Sequence, residues 1–227
     1  VGRQVVVSQH IGDLDSPESR DAFVKTIEDL CRLYSFKPDL VACDLHPDYF
    51  STVHASSFGC EVVQIQHHHA HAASCIAENG LEGAVLAVTW DGTGLGIDGT
   101  IWGGEMFLVE GGRFERVAHL RPFLLAGGDS AMRDCSRPAS GILHGLGRPS
   151  AHQAMLERRL NTVETTSAGR LFDALACLGG FTERNHFEGE AGLLLEAAAM
   201  RESAGRAVPI PGGDWREIGR ASCRERG

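Results

Sequence analysis

Between residues 15 and 36, in DSPESRDAFVKTIEDLCRLYSF, apolar side chains recur at Phe23, Ile27, Leu30 and Leu33, the spacing of one helical face. Asp15 or Ser16 stands where an N-cap belongs, and Pro17 and Glu18 suit a first turn. The pattern predicts an amphipathic helix. Residues 5–8 ahead of it read as a short strand. After it, PDLVACD (38–44) reads as a buried-type strand, PDYFSTVHASSFG as a helix closed by Gly59, and CEVVQI as another strand. Strand, helix, strand, helix, strand is the order of a parallel α/β arrangement.

Farther along, GAVLAVTWDGTGLGIDGTIWGGEMFLVEGGRFERVAHL predicts strands over 84–90, 100–109 and 114–119, with a Gly-rich turn between the first two and Gly111-Gly112 between the others. An antiparallel hairpin is therefore added to the parallel part. From Gly128 the pattern turns helical, over about 129–145, 150–160, 168–178 and 188–202, with Gly179-Gly180 closing the third helix. This order divides the chain into an α/β lobe (1–127), the helical part of a second lobe (128–205), and a linker and tail (206–227).

Composition narrows the function classes. At 227 residues and 43% hydrophobic, the chain has enough apolar side chains for a substantial core. Its net charge of −9 argues against a general nucleic-acid or membrane-surface binder, which needs a cationic face. Anionic small molecules stay open, because backbone N–H groups bind them without net positive charge. The seven cysteines form no CxxC pair and several lie in apolar runs, which predicts reduced thiols and a cytoplasmic setting. No run approaches a membrane span. The first residue is not Met, and REIGRASCRERG has no apolar periodicity. DNA resembling a common sequencing adapter encodes EIGRASCRER, so a fragment ending in read-through from about Glu217 is expected.

The densest chemistry lies in QIQHHHAHAASC, which puts four histidines in five positions. An internal position excludes an expression tag. On a helix, His67 and His71 stand one turn apart and can share a metal ion, while His68 and His69 point elsewhere. A polar patch on an Ala-rich helix has the same pattern. The following strand ends in TWDGTGLG, where Asp91 supplies a carboxylate and the glycines let backbone N–H groups approach a phosphate. Asp91-Gly92 is equally a turn dipeptide, as is Asp98-Gly99. Gly103-Gly104 inside a strand pattern marks a bulge or a close backbone approach.

SQHIGDL (8–14), CDLHPDYFST (43–52), QHHHAHAA (66–73), DGTGLGIDGTIWGGE (91–105), HLRPF (119–123), GGD (127–129) and SAGRLFDA (167–174) together resemble the C-terminal part of the HypF family, the carbamoyltransferases that mature nickel–iron hydrogenases. The resemblance runs from about Val5 to Ala199. It extends to O-carbamoyltransferases and, more distantly, to the enzyme that threonylcarbamoylates tRNA. It implies an actin/Hsp70-like (ASKHA) two-lobed α/β fold, incomplete here, with a helical second half.

The resemblance also implies an activity. Carbamoyl phosphate and ATP give carbamoyl-adenylate in a preceding domain, and the present region passes the carbamoyl group to the C-terminal cysteine of a HypE-type partner, on the way to the cyanide ligand of the hydrogenase. By motif match, His67, His71 and Asp91 fall on the family's ligands for a divalent metal ion (iron, zinc or magnesium), and Gly92, Thr93, Gly94 and Gly96 on its nucleotide-phosphate loop. The chain departs from the family after GGDSAMR, where DCSRP replaces a Pro-Trp element. It also lacks a final Gly-Gly loop and a last aspartate ligand, so the fragment is expected to be inactive alone. Two other readings remain: an O-carbamoyltransferase acting on a small-molecule hydroxyl, and a non-catalytic actin/Hsp70-like nucleotide-binding module.

Overall fold

Two compact units, Val1–His67 and His68–Gly227, make up the chain, and the computed structural model describes residues 5–202. In the first unit, helix α1 (Pro17–Leu33) starts where Ser16 caps it, the Ser16 hydroxyl accepting from the Ser19 N–H at 3.1 Å. Pro17 occupies the first turn, where a missing N–H costs nothing. Strand β1 (Leu40–Asp44), helix α2 (Phe50–Ala55), a short 3-10 turn (Ser56–Phe58) and strand β2 (Glu61–Ile65) follow. β1 and β2 pair in parallel from Leu40↔Glu61 to Asp44↔Ile65, with α2 as the crossover. Phe23 of α1 packs edge-on against Phe50 and His54 of α2, at 6.1 and 5.9 Å. No strand forms over residues 5–8. That run has no partner strand in the first unit, whose sheet consists of β1 and β2 alone among the described residues, and Val5 and Val7 are largely exposed.

The second unit carries helix α3, which spans His67–Glu78 and so takes its first residue from the end of the first unit. A five-stranded sheet follows: β3 (Val85–Leu95), β4 (Ile101–Glu110), β5 (Arg113–His119), β6 (Phe123–Ala126) and β7 (Thr162–Thr165), ordered β3-β4-β7-β6 with β5 also on β4. Most pairs are antiparallel, and β4 meets β7 in parallel at Ile101↔Thr165. Trp102, Phe107 and Val109 of β4 form the core, joined by Ile76 of α3, Ala87 and Phe114. Alternation along β4 from Glu105 sends every second side chain inward, as a half-buried strand requires.

Three sequence expectations change here. The Gly-rich stretch after Trp90 is not a turn up to Leu95 but a continuation of β3, with a bulge between Trp90 and Gly94. The segment taken as helical from Gly128 contains β7, built from the β-branched run Thr162, Val163 and Thr165. The helix expected over 129–145 splits into a 3-10 turn (Gly128–Met132) and α4 (Ser136–Gly145), and that expected over 150–160 shortens to α5 (Gln153–Glu157). α6 (Ala168–Leu178) and α7 (Glu190–Glu202) complete the unit. α4 lies close on β6, so that a Cβ on Gly141 would stand 1.8 Å from the Leu124 carbonyl oxygen. The linker and tail at 206–227 lie outside the described residues. No described helix is long and apolar enough to cross a membrane.

Cysteines 31, 43, 60, 75, 135 and 177 are free thiols. Burial pushes the Cys135 thiol up to about 11, with Asp173 and Cys177 adding to the shift. Cys75 is exposed. At pH 8 a maleimide is therefore expected to label Cys75 in the native protein and to leave Cys135 unmodified until denaturant is added, as read by peptide mass spectrometry. Native labelling of Cys135 at the rate of Cys75 would contradict this packing.

Candidate metal centre

A bulge sets the position of the key carboxylate. Trp90 pairs with Gly104 and Gly94 with Trp102, so Asp91, Gly92 and Thr93 stand opposite the single residue Gly103. Crowding that many atoms against one position needs neighbours without side chains. A Cβ on Gly103 would come within 2.6 Å of the Asp91 carbonyl oxygen, and one on Gly169 within 2.8 Å of the Gly92 Cα. Ser167, the N-cap of α6, fastens the bulge from the other side. Its hydroxyl accepts from the Arg170 N–H at 3.0 Å and lies within hydrogen-bond reach of the Gly92 and Asp91 carbonyl oxygens.

The Asp91 carboxylate is oriented by its own backbone. Oδ1 accepts from the Gly92 N–H at 2.6 Å, and Oδ2 turns toward α3. There it lies 3.3 Å from His68 Nε2 and 3.9 Å from His71 Nε2. His67 is the first residue of α3 and His71 follows one turn later. His67, His71 and Asp91 each present one ligand atom, and these atoms all lie within 4.8 Å of one another. Metal–ligand bonds of about 2.1 Å put ligand atoms at most about 4.2 Å apart, so a small side-chain adjustment closes the set around one ion. Two imidazoles and a carboxylate are donors that suit a divalent metal.

The other two histidines divide differently than the spacing suggested. His69 does point elsewhere: its ring stacks on Phe114 at 4.5 Å and meets Phe107 edge-on at 5.0 Å. Burial, with His68 beside it, holds its imidazole below the usual histidine range. His68 does not point away. It is wholly buried, faces Asp91 and lies 6.2 Å, ring to ring, from Trp102. The reason is geometric: Asp91 sits on the sheet beneath α3, so the inward-facing histidine meets the same carboxylate as His71. The helical spacing marked the pair four apart and carried no information on which neighbour lies over the sheet.

The glycines expected at a phosphate also separate. Gly92 and Thr93 belong to the bulge and are partly exposed, and a Cβ on Gly92 would meet only the Arg170 guanidinium, at 3.8 Å. Gly94 is buried in the pairing with Trp102, and Gly96 lies so close to the Trp102 indole that a Cβ there would clash with it at 2.3 Å. Asp98 belongs to the turn: it accepts from the Thr100 N–H at 3.0 Å and from the Trp102 indole N–H at 3.0 Å.

Residues that the spacing did not mark also support the site. Asp44 lies 2.7 Å from His67 Nδ1, and Ser167 and Gly169 hold the bulge. SAGRLFDA, which places the last two, stood out only through its family resemblance.

Residues 87–222 match the family described as Carbamoyltransferase, Kae1-like Domain, second subdomain, and residues 1–78 match the HypF Kae1-like domain. The chain belongs to the HypF carbamoyltransferase family. It is 43% identical to Carbamoyltransferase HypF2 of Cupriavidus necator over 93% of this chain and 28% of that protein. Identity to Carbamoyltransferase HypF of Synechocystis sp. is 35%, over 98% of this chain and 34% of that one. The crystal structure of full-length HypF in the phosphate- and nucleotide-bound form superposes with a TM-score of 0.77 at 36% identity, covering 82% of this chain and 27% of that one. The chain thus spans about a third of the HypF proteins it matches.

Burial distinguishes the two histidines of α3 that lie beside Asp91. His68→Ala removes a wholly buried ring and is expected to lower the unfolding free energy by about 2–4 kcal/mol in urea titrations. His71→Ala, at a half-exposed side chain, is expected to change it by no more than about 0.5 kcal/mol. Equal losses in the two variants would contradict the assignment.

Proposed function

We propose that this chain belongs to the part of a HypF-type enzyme that transfers a carbamoyl group from carbamoyl-adenylate to the C-terminal cysteine of a HypE-type partner. The product serves the synthesis of the cyanide ligands of a nickel–iron hydrogenase. The observation that carries the reading is the convergence of His67, His71 and Asp91 on one point, in a chain whose family is that of the carbamoyltransferases. The fold reading goes with it, an actin/Hsp70-like α/β arrangement, corrected in one respect: β7 pairs with β4 and β6, so the segment expected as a helical second lobe (128–205) shares a sheet with the end of the segment expected as the first (1–127). A cytoplasmic enzyme follows from the same reading.

In the proposed reaction the partner's thiolate attacks the carbamoyl carbon, a C–S bond forms, the C–O bond to the phosphate breaks, and AMP leaves with the electron pair. The reacting groups have to be held in line, and negative charge on the carbonyl and phosphate oxygens has to be stabilised as it develops. A divalent ion held by His67, His71 and Asp91 supplies Lewis-acid stabilisation of those oxygens when bound. Thr93, in the bulge beside Asp91, offers its backbone N–H to the nucleotide phosphate, and Gly92, whose own N–H is taken by Asp91 Oδ1, leaves room for the close approach. A full-length HypF of this fold has been crystallised in a phosphate- and nucleotide-bound form, which agrees with a nucleotide as part of the proposed reaction. No thiol of this chain has to act as the nucleophile, which agrees with a Cys135 pushed up to about 11 by burial. Family membership favours a protein thiolate over a small-molecule hydroxyl as acceptor.

In the intact protein, metal content by plasma emission spectroscopy is expected to fall at least tenfold in His71→Ala and Asp91→Ala. Gly92→Val, where an added Cβ meets nothing closer than the Arg170 guanidinium at 3.8 Å, is expected to weaken ATP binding by calorimetry while the melting temperature holds. Full metal content in Asp91→Ala, or unchanged ATP affinity in Gly92→Val, would remove the corresponding half of the reading.

A further inference from the structure

The first carboxylate of the segment CDLHPDYFST touches the first histidine of the cluster. We propose that Asp44 is a positioning residue of the metal centre, holding His67 by Nδ1 so that Nε2 is the ring nitrogen turned to the ion. The inference rests on the metal reading given above.

Asp44 is the last residue of β1, and the end of that strand is locked to the end of β2. Asp44 pairs with Ile65, and the Leu45 N–H donates to the Ile65 carbonyl oxygen at 3.0 Å. Ile65 stands two residues before His67, so the sheet fixes the distance between the carboxylate and the imidazole. Both carboxylate oxygens are engaged: Oδ1 accepts from the His46 N–H at 2.8 Å and Oδ2 lies 2.7 Å from His67 Nδ1. The carbonyl oxygen of Asp44 accepts from the Thr52 hydroxyl at 3.1 Å, tying α2 to the same point. His46 in turn stacks flat on Tyr49, ring centroids 4.3 Å apart. The carboxylate therefore has one orientation, set by backbone and strand rather than by a flexible partner.

Asp44 and His67 keep 17% and 30% of their side-chain exposure, so the pair lies at the edge of the solvent rather than in the core. Chemistry at the ring gives the arrangement its purpose. A neutral imidazole donates from one nitrogen and offers a lone pair at the other, so an acceptor at Nδ1 selects the tautomer with the lone pair on Nε2. A carboxylate in that place also raises the basicity of the ligating nitrogen and stops the ring from turning. His67 opens α3, where no preceding helical turn confines its ring, and Asp44 supplies the restraint.

The test uses the intact protein with Co2+ alone as probe, followed by its visible absorption bands and by competition with a chelator. Asp44→Ala is expected to weaken Co2+ binding about 10–100-fold and to shift the bands. Asp44→Asn, which keeps an oxygen acceptor for Nδ1–H, is expected to recover most of that affinity. Thr52→Val removes the bond to the Asp44 main chain and is expected to lower the melting temperature with Co2+ affinity kept. Affinity within about twofold of the unsubstituted protein in Asp44→Ala overturns the proposal, as does an equal loss in Thr52→Val. If the unsubstituted protein takes up no Co2+, or if His71→Ala and Asp91→Ala bind it as well as the unsubstituted protein, the metal reading itself fails and this inference with it. Loss in those two with none in Asp44→Ala overturns the brace alone.

Discussion

The second unit depends on the accommodation of three residues of β3 opposite one residue of β4. A bulge lengthens one strand locally and turns side chains that would otherwise alternate across the sheet. Here it brings the Asp91 carboxylate under α3 and puts Gly92 and Thr93 beside it. The arrangement exists because Gly103 and Gly169 leave room on both sides, with the nearest prospective Cβ contacts at 2.6 and 2.8 Å. A side chain at either position displaces the backbone that carries Asp91. Glycine is required there for close approach, since neither residue has a positive φ.

Four imidazoles on one short helix sit in different surroundings. His67 faces the carboxylate at the end of β1, His68 is buried against Asp91, His69 packs between aromatic rings, and His71 stays half exposed beside Asp91. A helix repeats every 3.6 residues, so neighbours in sequence are spread about 100° apart around its axis. A run of like residues is thereby sorted by the surroundings into rings packed in the interior and rings left at the surface beside a carboxylate. Burial, rather than residue type, separates a histidine that holds the fold from one able to hold an ion.

The hydrophobic pattern made α1, β1, α2, β2, β4 and β5 legible in the sequence, because each carries a clear period or a flanking turn signal. The strand over residues 5–8 was not a strand, since an apolar run needs a partner edge that periodicity does not supply. β7 was missed because four residues, Thr162–Thr165, are too few to set a period against a helical background. The site divided along similar lines. Spacing on one helix pointed to His67 and His71, and the strand's end pointed to Asp91. The contacts of His68, Asp44 and Ser167 join residues 23 to 76 positions apart in the chain, or lie across a helix–sheet interface, and no local pattern encodes them.

The strand opposite the bulge has its own requirement. Gly103 and Gly104 both donate their N–H groups to Glu105 Oε1, at 3.2 Å each, and the same oxygen lies within reach of the Thr166 hydroxyl. Oε2 accepts from Arg116 Nε at 2.6 Å, and the Arg116 guanidinium lies over the Trp102 ring at 4.0 Å. Glu105 is wholly buried, a costly place for a carboxylate unless every lone pair finds a donor. An apolar residue of the same size would avoid that cost. It would also take an acceptor away from the Gly103 and Gly104 N–H groups at the point where the ladder is irregular, and a buried polar group left unsatisfied costs about 1–3 kcal/mol. The buried carboxylate thus ties the backbone of β4 opposite the bulge that carries Asp91 to Arg116 and to Thr166, the residue before the N-cap of α6.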